Sequence, residues 1–211
     1  MPSFGEQRAI VERWPRFPSR ERVDEHRICL SFDDGPDPEG TPAVLDALEA
    51  IGARATFFMV GEQAEAHAGL AREVAERGHE IGLHGLRHVR PEELADPECD
   101  LRHGLAVLEQ ATGVVPAAFR PPYGHFTAPL YEAAAELGLE PVLWSAWGLD
   151  WEPIPAERIA DLVLTDLQPG AIVVLHDSAR YAPRASVQPT AEALAQIAAG
   201  AARLGVELQP L

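Results

Sequence analysis

The sequence is poor in cysteine, with two in 211 residues. Cys29 and Cys99 form neither a disulfide framework nor a CxxC metal motif, so neither kind of staple is the basis of the fold. Basic residues are scarce as well. Seventeen Lys and Arg stand against 33 Asp and Glu, a formal net charge of −16. Nucleic-acid and anionic-membrane surfaces need basic patches, so neither partner is expected. Long apolar runs are also missing, and no segment approaches the roughly 18 residues that span a bilayer. Charged residues interrupt the N-terminal stretch throughout, which leaves no apolar core of the signal-peptide kind. As given, the chain reads as cytoplasmic, or as extracytoplasmic if an export signal once preceded it.

What is present suits one substantial globular domain, with 46% hydrophobic residues. Residues 1–27 read as an N-terminal extension, decoration rather than a domain, and 28–211 as the domain itself. From Ile28 onward short apolar runs alternate with helical patterns. Strands are expected at Ile28–Phe32, Ala55–Val60, His79–His84, Ala117–Arg120, Pro141–Ser145, Ala171–His176 and Val206–Leu208. Thr41 reads as a helix N-cap followed by Pro42. Cys29 lies in an apolar run and reads as a small core residue. About seven strands separated by helices point to a parallel sheet, either doubly wound or a closed TIM-like barrel short of one unit.

Chemically capable residues fall at strand ends. Asp33 and Asp34 follow the first strand, and His84 ends the third with His88 four residues on. Arg120 ends the fourth, Asp150 follows the fifth, and His176 ends the sixth. Each alone has a plainer explanation. DDGPDPEG is turn-like, an HxxxH pair is commonly a solvated surface pair, and Arg120 could serve a structural ion pair. Parallel α/β folds gather strand C-termini on one face, however, and turn chemistry does not explain why five segments converge there. Two imidazoles and a carboxylate form the facial set that suits zinc, with cobalt or nickel as alternatives. His84, His88 and one of the paired aspartates supply that set, and the other aspartate remains free as a base. His26, His67, His79, His103 and His125 read as surface or structural, although His125 follows RPPYG closely enough to reach a substrate.

The segments SFDDGP, HGLRH, RPPYG, LDW and VVLHD resemble, in order and spacing, the five motifs of the polysaccharide deacetylases, carbohydrate esterase family 4. The resemblance runs from Ile28 to the C-terminus and implies a distorted (β/α) barrel with fewer than eight strands. It implies one divalent metal, an N-acetylated glycan as partner, and hydrolytic removal of acetyl groups from an oligomer or polysaccharide. By motif position, Asp34, His84 and His88 would hold the metal. Asp33 would be the base, oriented by Arg120. His176 would be the acid, tuned by Asp150. The Tyr123 N–H would meet the oxyanion, and Trp151 and Val174 would receive the acetyl methyl. Pro122 and Trp147 would add to the substrate groove.

This chain departs from the family pattern twice. Gly85 stands where the family usually has Ser or Thr, so a hydroxyl contact that orders the ligand loop is expected to be missing. Trp147 stands where an additional aspartate is frequent. Two other readings fit the same fold: hydrolysis of another linear or cyclic amide, and a non-catalytic carbohydrate-binding relative. The second would be expected to lack the base or the acid, and both are present.

Overall fold

The computed structural model describes residues 4–11 and 13–211. In chain order its elements are α1 (Phe4–Val11), β1 (Arg27–Asp33), α2 (Thr41–Ala50), β2 (Thr56–Met59), α3 (Gly61–Ala66), α4 (Ala68–Glu76), β3 (Glu80–Leu83) and α5 (Pro97–Thr112). There follow β4 (Ala118–Phe119), α6 (Ala128–Glu136), β5 (Glu140–Pro141), β6 (Ala146–Trp147), α7 (Ala156–Asp166), β7 (Ile172–His176), α8 (Gln188–Leu204) and β8 (Glu207–Leu208). All the strand pairings are parallel. The sheet runs β5-β4-β3-β2-β1-β7-β6, with β8 beside β1. It is a curled, incompletely closed barrel wrapped by helices. No described helix is long and apolar enough to cross a membrane.

The period-two alternation of β1 separates two environments. Ile28, Leu30 and Phe32 join the large apolar cluster shared with the helices. Cys29 instead joins Phe58, Ala118, Val142 and Ile172 in a smaller inner cluster. Ser31 and Asp33 continue along that same inward face and are buried. The barrel interior is therefore apolar at its base and polar at the C-terminal rim, where the site forms.

Two local expectations are corrected. The fifth strand does not run over Pro141–Ser145. The segment is anchored to both sheet edges: Val142 N–H donates to Phe119 at 2.9 Å and Ser145 N–H to Ile172 at 3.0 Å. It must leave one edge to reach the other, so pairing survives only at its two ends, as β5 and β6. Arg20 fills the gap between them, bridged to Val142, and so ties the N-terminal arm into the barrel. Thr41 is not a cap. It is the first residue of α2, and its hydroxyl donates to Asp177 Oδ2 at 2.5 Å and accepts from Asp37 N–H at 2.8 Å. A buried carboxylate has claimed the group a cap would use. Helix α5 begins at Pro97, with Asp96 accepting from Cys99 N–H at 3.0 Å.

Close packing within the sheet leads to a stability test. A Cβ on Gly82 of β3 would stand 2.5 Å from the Phe58 ring, whereas Gly69 in α4 faces open space. Gly82→Ala is expected to cost about 1–3 kcal/mol through overpacking. Gly69→Ala should be neutral or add about 0.5–1 kcal/mol through helix propensity. Urea unfolding of both variants beside the parent checks the pair.

Candidate active site

β1 delivers two adjacent carboxylates, and the backbone turns them apart. Asp33 closes the strand, while Asp34 adopts φ +82°, a left-handed conformation unusual for a residue with a side chain. Asp33 keeps to the barrel interior and Asp34 faces the loop after β3.

Asp34, His84 and His88 converge there, with one donor atom from each lying within 4.8 Å of the others. His84 Nε2 and His88 Nε2 lie 3.4 and 3.2 Å from Asp34 Oδ1. His84 Nδ1 pairs with the Arg120 carbonyl at 2.8 Å. A carbonyl only accepts, so Nδ1 carries a proton and Nε2 is the nitrogen turned toward Asp34. Burial would raise the Asp34 carboxyl, but the two imidazoles outweigh it and hold that carboxyl well below the usual range. Asp34 Oδ1 is buried without a hydrogen-bond partner. An orphaned carboxylate oxygen facing two imidazole nitrogens fits a divalent transition ion.

Arg120 follows β4 and is fully buried. Its Nη1 donates to Asp33 Oδ1 at 2.7 Å and to Ser31 Oγ at 2.8 Å, and its Nη2 donates to the Leu143 carbonyl at 3.1 Å. The guanidinium also lies 4.1 Å from the centroid of the Phe58 ring. Asp33 is thus held by a fixed cation inside a largely apolar shell.

A second buried pair sits across the rim. His176 Nδ1 donates to Asp150 Oδ1 at 2.8 Å, and His176 N–H to Asp150 Oδ2 at 2.8 Å. Burial works against a charged imidazole, yet the Asp150 carboxylate outweighs it and lifts His176 to about 9. Burial likewise opposes ionisation of Asp150, but His176 and Arg184 hold it low. Arg184 was not singled out in the sequence. Its Nη1 reaches the Asp150 carbonyl at 2.6 Å and Asp150 Oδ2 at 3.2 Å, while its Nη2 binds the carbonyls of His176 and Ser178. One guanidinium therefore ties the two halves of the pair together.

These groups share one cavity of about 490 Å³. Its wall includes Asp33, Asp34, His84, His88, Tyr123 and His176. Trp147, Trp151 and Val174 line it as well, with Trp151 edge-on to His176 at 5.5 Å. Tyr123 has φ +63° and is partly exposed. Pro122 is buried and stands outside the cavity lining. His125 also faces elsewhere, with Nε2 2.7 Å from Glu92 and its ring against Trp14. His79 is structural, accepting from Ala55 N–H at 3.2 Å.

Sequence reasoning passed over several lining residues. Trp144 packs against Gly124, where a Cβ would meet the indole at 2.1 Å. Tyr181 stacks on His88 at 4.2 Å and 10°. Gln7, Val11 and Trp14 bring the N-terminal arm into the wall, so the arm is not mere decoration. No motif marks these residues, because long-range packing alone brings them to the site.

Residues 20–142 match the family model described as Polysaccharide deacetylase. A peptidoglycan-N-acetylglucosamine deacetylase of Bacillus cereus is 38% identical over 165 residues, 76% of this chain and 75% of that protein. A chitooligosaccharide deacetylase of Azorhizobium caulinodans is 32% identical over 202 residues, 92% of this chain and 96% of that protein. The crystal structure of a peptidoglycan N-acetylglucosamine deacetylase superposes with a TM-score of 0.82 at 27% identity, covering 99% of this chain and 95% of that one. With its five motif segments gathered on one rim of the same barrel, the chain belongs to the polysaccharide deacetylase family.

Proposed function

We propose that the chain is a metal-dependent hydrolase that removes N-acetyl groups from N-acetylated amino-sugar chains. One observation carries this reading. A two-histidine, one-carboxylate cluster, a carboxylate braced by arginine and an imidazole braced by aspartate open onto a single cavity. The names of the relatives, acting on peptidoglycan and chitooligosaccharides, support the same substrate class.

A divalent ion held by Asp34, His84 and His88, with zinc the first expectation, would polarise the acetamide carbonyl and acidify water. Asp33 accepts the proton of the attacking water, and Arg120 fixes that carboxylate in direction. The Tyr123 N–H donates to the oxyanion. His176 keeps Nδ1 on Asp150 and so presents Nε2 to the leaving nitrogen, which it protonates as the C–N bond breaks. Water and acetamide become acetate and a free amine. Trp151 and Val174 enclose the methyl group, while Trp147, only 5% exposed, backs that wall of the cavity. The presence of both Asp33 and His176 weighs against a non-catalytic role.

Acetate release from N-acetylglucosamine oligomers by the zinc-loaded protein tests the reading. Asp33→Asn and His176→Ala are each expected to lower kcat by about 10²–10⁴-fold. His176 acts while protonated, so activity should persist up to about pH 9 and fall as pH rises through that value. Asp150→Asn should move this basic limb down toward about 6.5, the ordinary histidine value. No release from any oligomer by zinc-loaded protein would sink the proposal.

Metal binding has a separate readout. At about 100 times its dissociation constant zinc adds about 2.7 kcal/mol, which for a chain of this size raises Tm by roughly 5–10 °C. Asp34→Ala should abolish the rise in a thermal melt.

A further inference from the structure

His84 and His88 stand at the two ends of a short loop, and their separation decides whether both imidazoles reach one ion. Two helices hold that loop. Gly61 and Glu62, at the start of α3, donate their N–H groups to the carbonyls of Gly85 and Leu86, both at 2.9 Å. From the other side α5 approaches closely because Gly104 has no side chain. A Cβ there would stand 2.8 Å from Leu83 Cδ1 and 3.3 Å from Leu86 N. One turn earlier on α5, Asp100 Oδ2 accepts the Leu86 N–H at 2.9 Å.

Asp100 is buried at 6% exposure, and its Oδ1 has no hydrogen-bond partner, with Arg87 Nε 3.7 Å away. A half-satisfied buried carboxylate costs stability. Helix α5 does not need it as a cap, since Asp96 fills that position. Gly85 completes the arrangement. It has φ +82°, and a Cβ there would lie 3.2 Å from the Arg87 carbonyl and 3.5 Å from Asp100 Oδ2. With no hydroxyl at position 85, the Asp100 carboxylate is the side chain that holds the loop's main chain there.

We infer that Asp100 is a positioning residue for the metal site: by gripping the Leu86 N–H from α5 it presets the spacing of the two histidine ligands. Gly85 and Asp100 act as a pair, with the loop taking its order from a distant carboxylate instead of a hydroxyl within the motif. The inference rests on the metal site proposed above and concerns binding, not turnover.

The test is the zinc dissociation constant of the full chain, measured by competition with a chromophoric chelator, beside the melting temperature of each metal-free variant. Asp100→Ala is expected to weaken zinc about 10–100-fold, the usual cost of removing a group that orients a ligand. Asp100→Asn keeps an acceptor oxygen for the same N–H and should stay near the parent. Gly85→Ala, strained at φ +82° and crowded against Arg87, should weaken zinc with Asp100 intact. Unchanged affinity in Asp100→Ala, even with a lowered melting temperature, would reduce Asp100 to a stability role and overturn the inference. Asp100→Asn as weak as Asp100→Ala would overturn it too, since charge and not the hydrogen bond would then hold the site. If Asp100→Ala does not fold, Gly85→Ala decides, and parental affinity there refutes the pairing. No zinc bound by the parent protein would instead overturn the metal site itself.

Discussion

A guanidinium enclosed in the barrel is the constraint on which the rest of this site depends. Arg120 is fully buried, and a buried cation is tolerated only when it is paired and hydrogen-bonded. Asp33, Ser31 and the Leu143 carbonyl meet that demand at Nη1 and Nη2, and the Phe58 ring lies against its face. The partners come from separate parts of the barrel, β1, β2 and the segment between β5 and β6. Ser31 and Asp33 share the inward face of β1, and Leu143 lies on the segment that crosses between the sheet edges. The Arg120 backbone carbonyl also fixes the His84 tautomer. One residue thus aims the proposed base with its side chain and one proposed ligand with its main chain.

This explains how two neighbouring aspartates coexist. Side by side in the sequence, they would repel if they shared an environment. The left-handed backbone at Asp34 sends one carboxylate to a cation and the other to two imidazoles. Each carboxylate then has its own positive or electrophilic partner. The pair is useful because the two carboxylates are electrostatically distinct.

Strand ends carrying polar groups were legible in the sequence, because a parallel sheet sends every strand C-terminus to one rim. That is why Asp33, Asp34, His84, His88, Arg120, Asp150 and His176 could be grouped from the sequence alone. The Pro141–Ser145 segment was not legible as a crossing strand. Its apolar pattern satisfies a strand, but its pairing depends on how far the sheet curls. Arg184, Tyr181, Trp144 and Asp100 were missed for a related reason. None lies in a motif, and each acquires its role from a contact distant in the chain, as Arg184 does with Asp150. Thr41 was misread because local cap chemistry was outweighed by Asp177, more than a hundred positions away.

The relative placement of the proposed base and acid comes from strand register. β1 and β7 are paired so that Asp33 stands opposite His176, and Asp177 N–H returns to the Asp33 carbonyl at 3.2 Å. A slip of one residue would turn every side chain of one strand to the other face. It would take either Asp33 away from Arg120 or His176 away from Asp150. The apolar residues interleaved along β1 and β7, from Leu30 and Phe32 to Val173 and Leu175, are fully buried among the helices and resist that slip. The hydrophobic pattern that makes the fold stable therefore also sets the proposed base and acid side by side, each against its own buried counter-ion. The geometry of that pair and the core packing are here consequences of the same alternation.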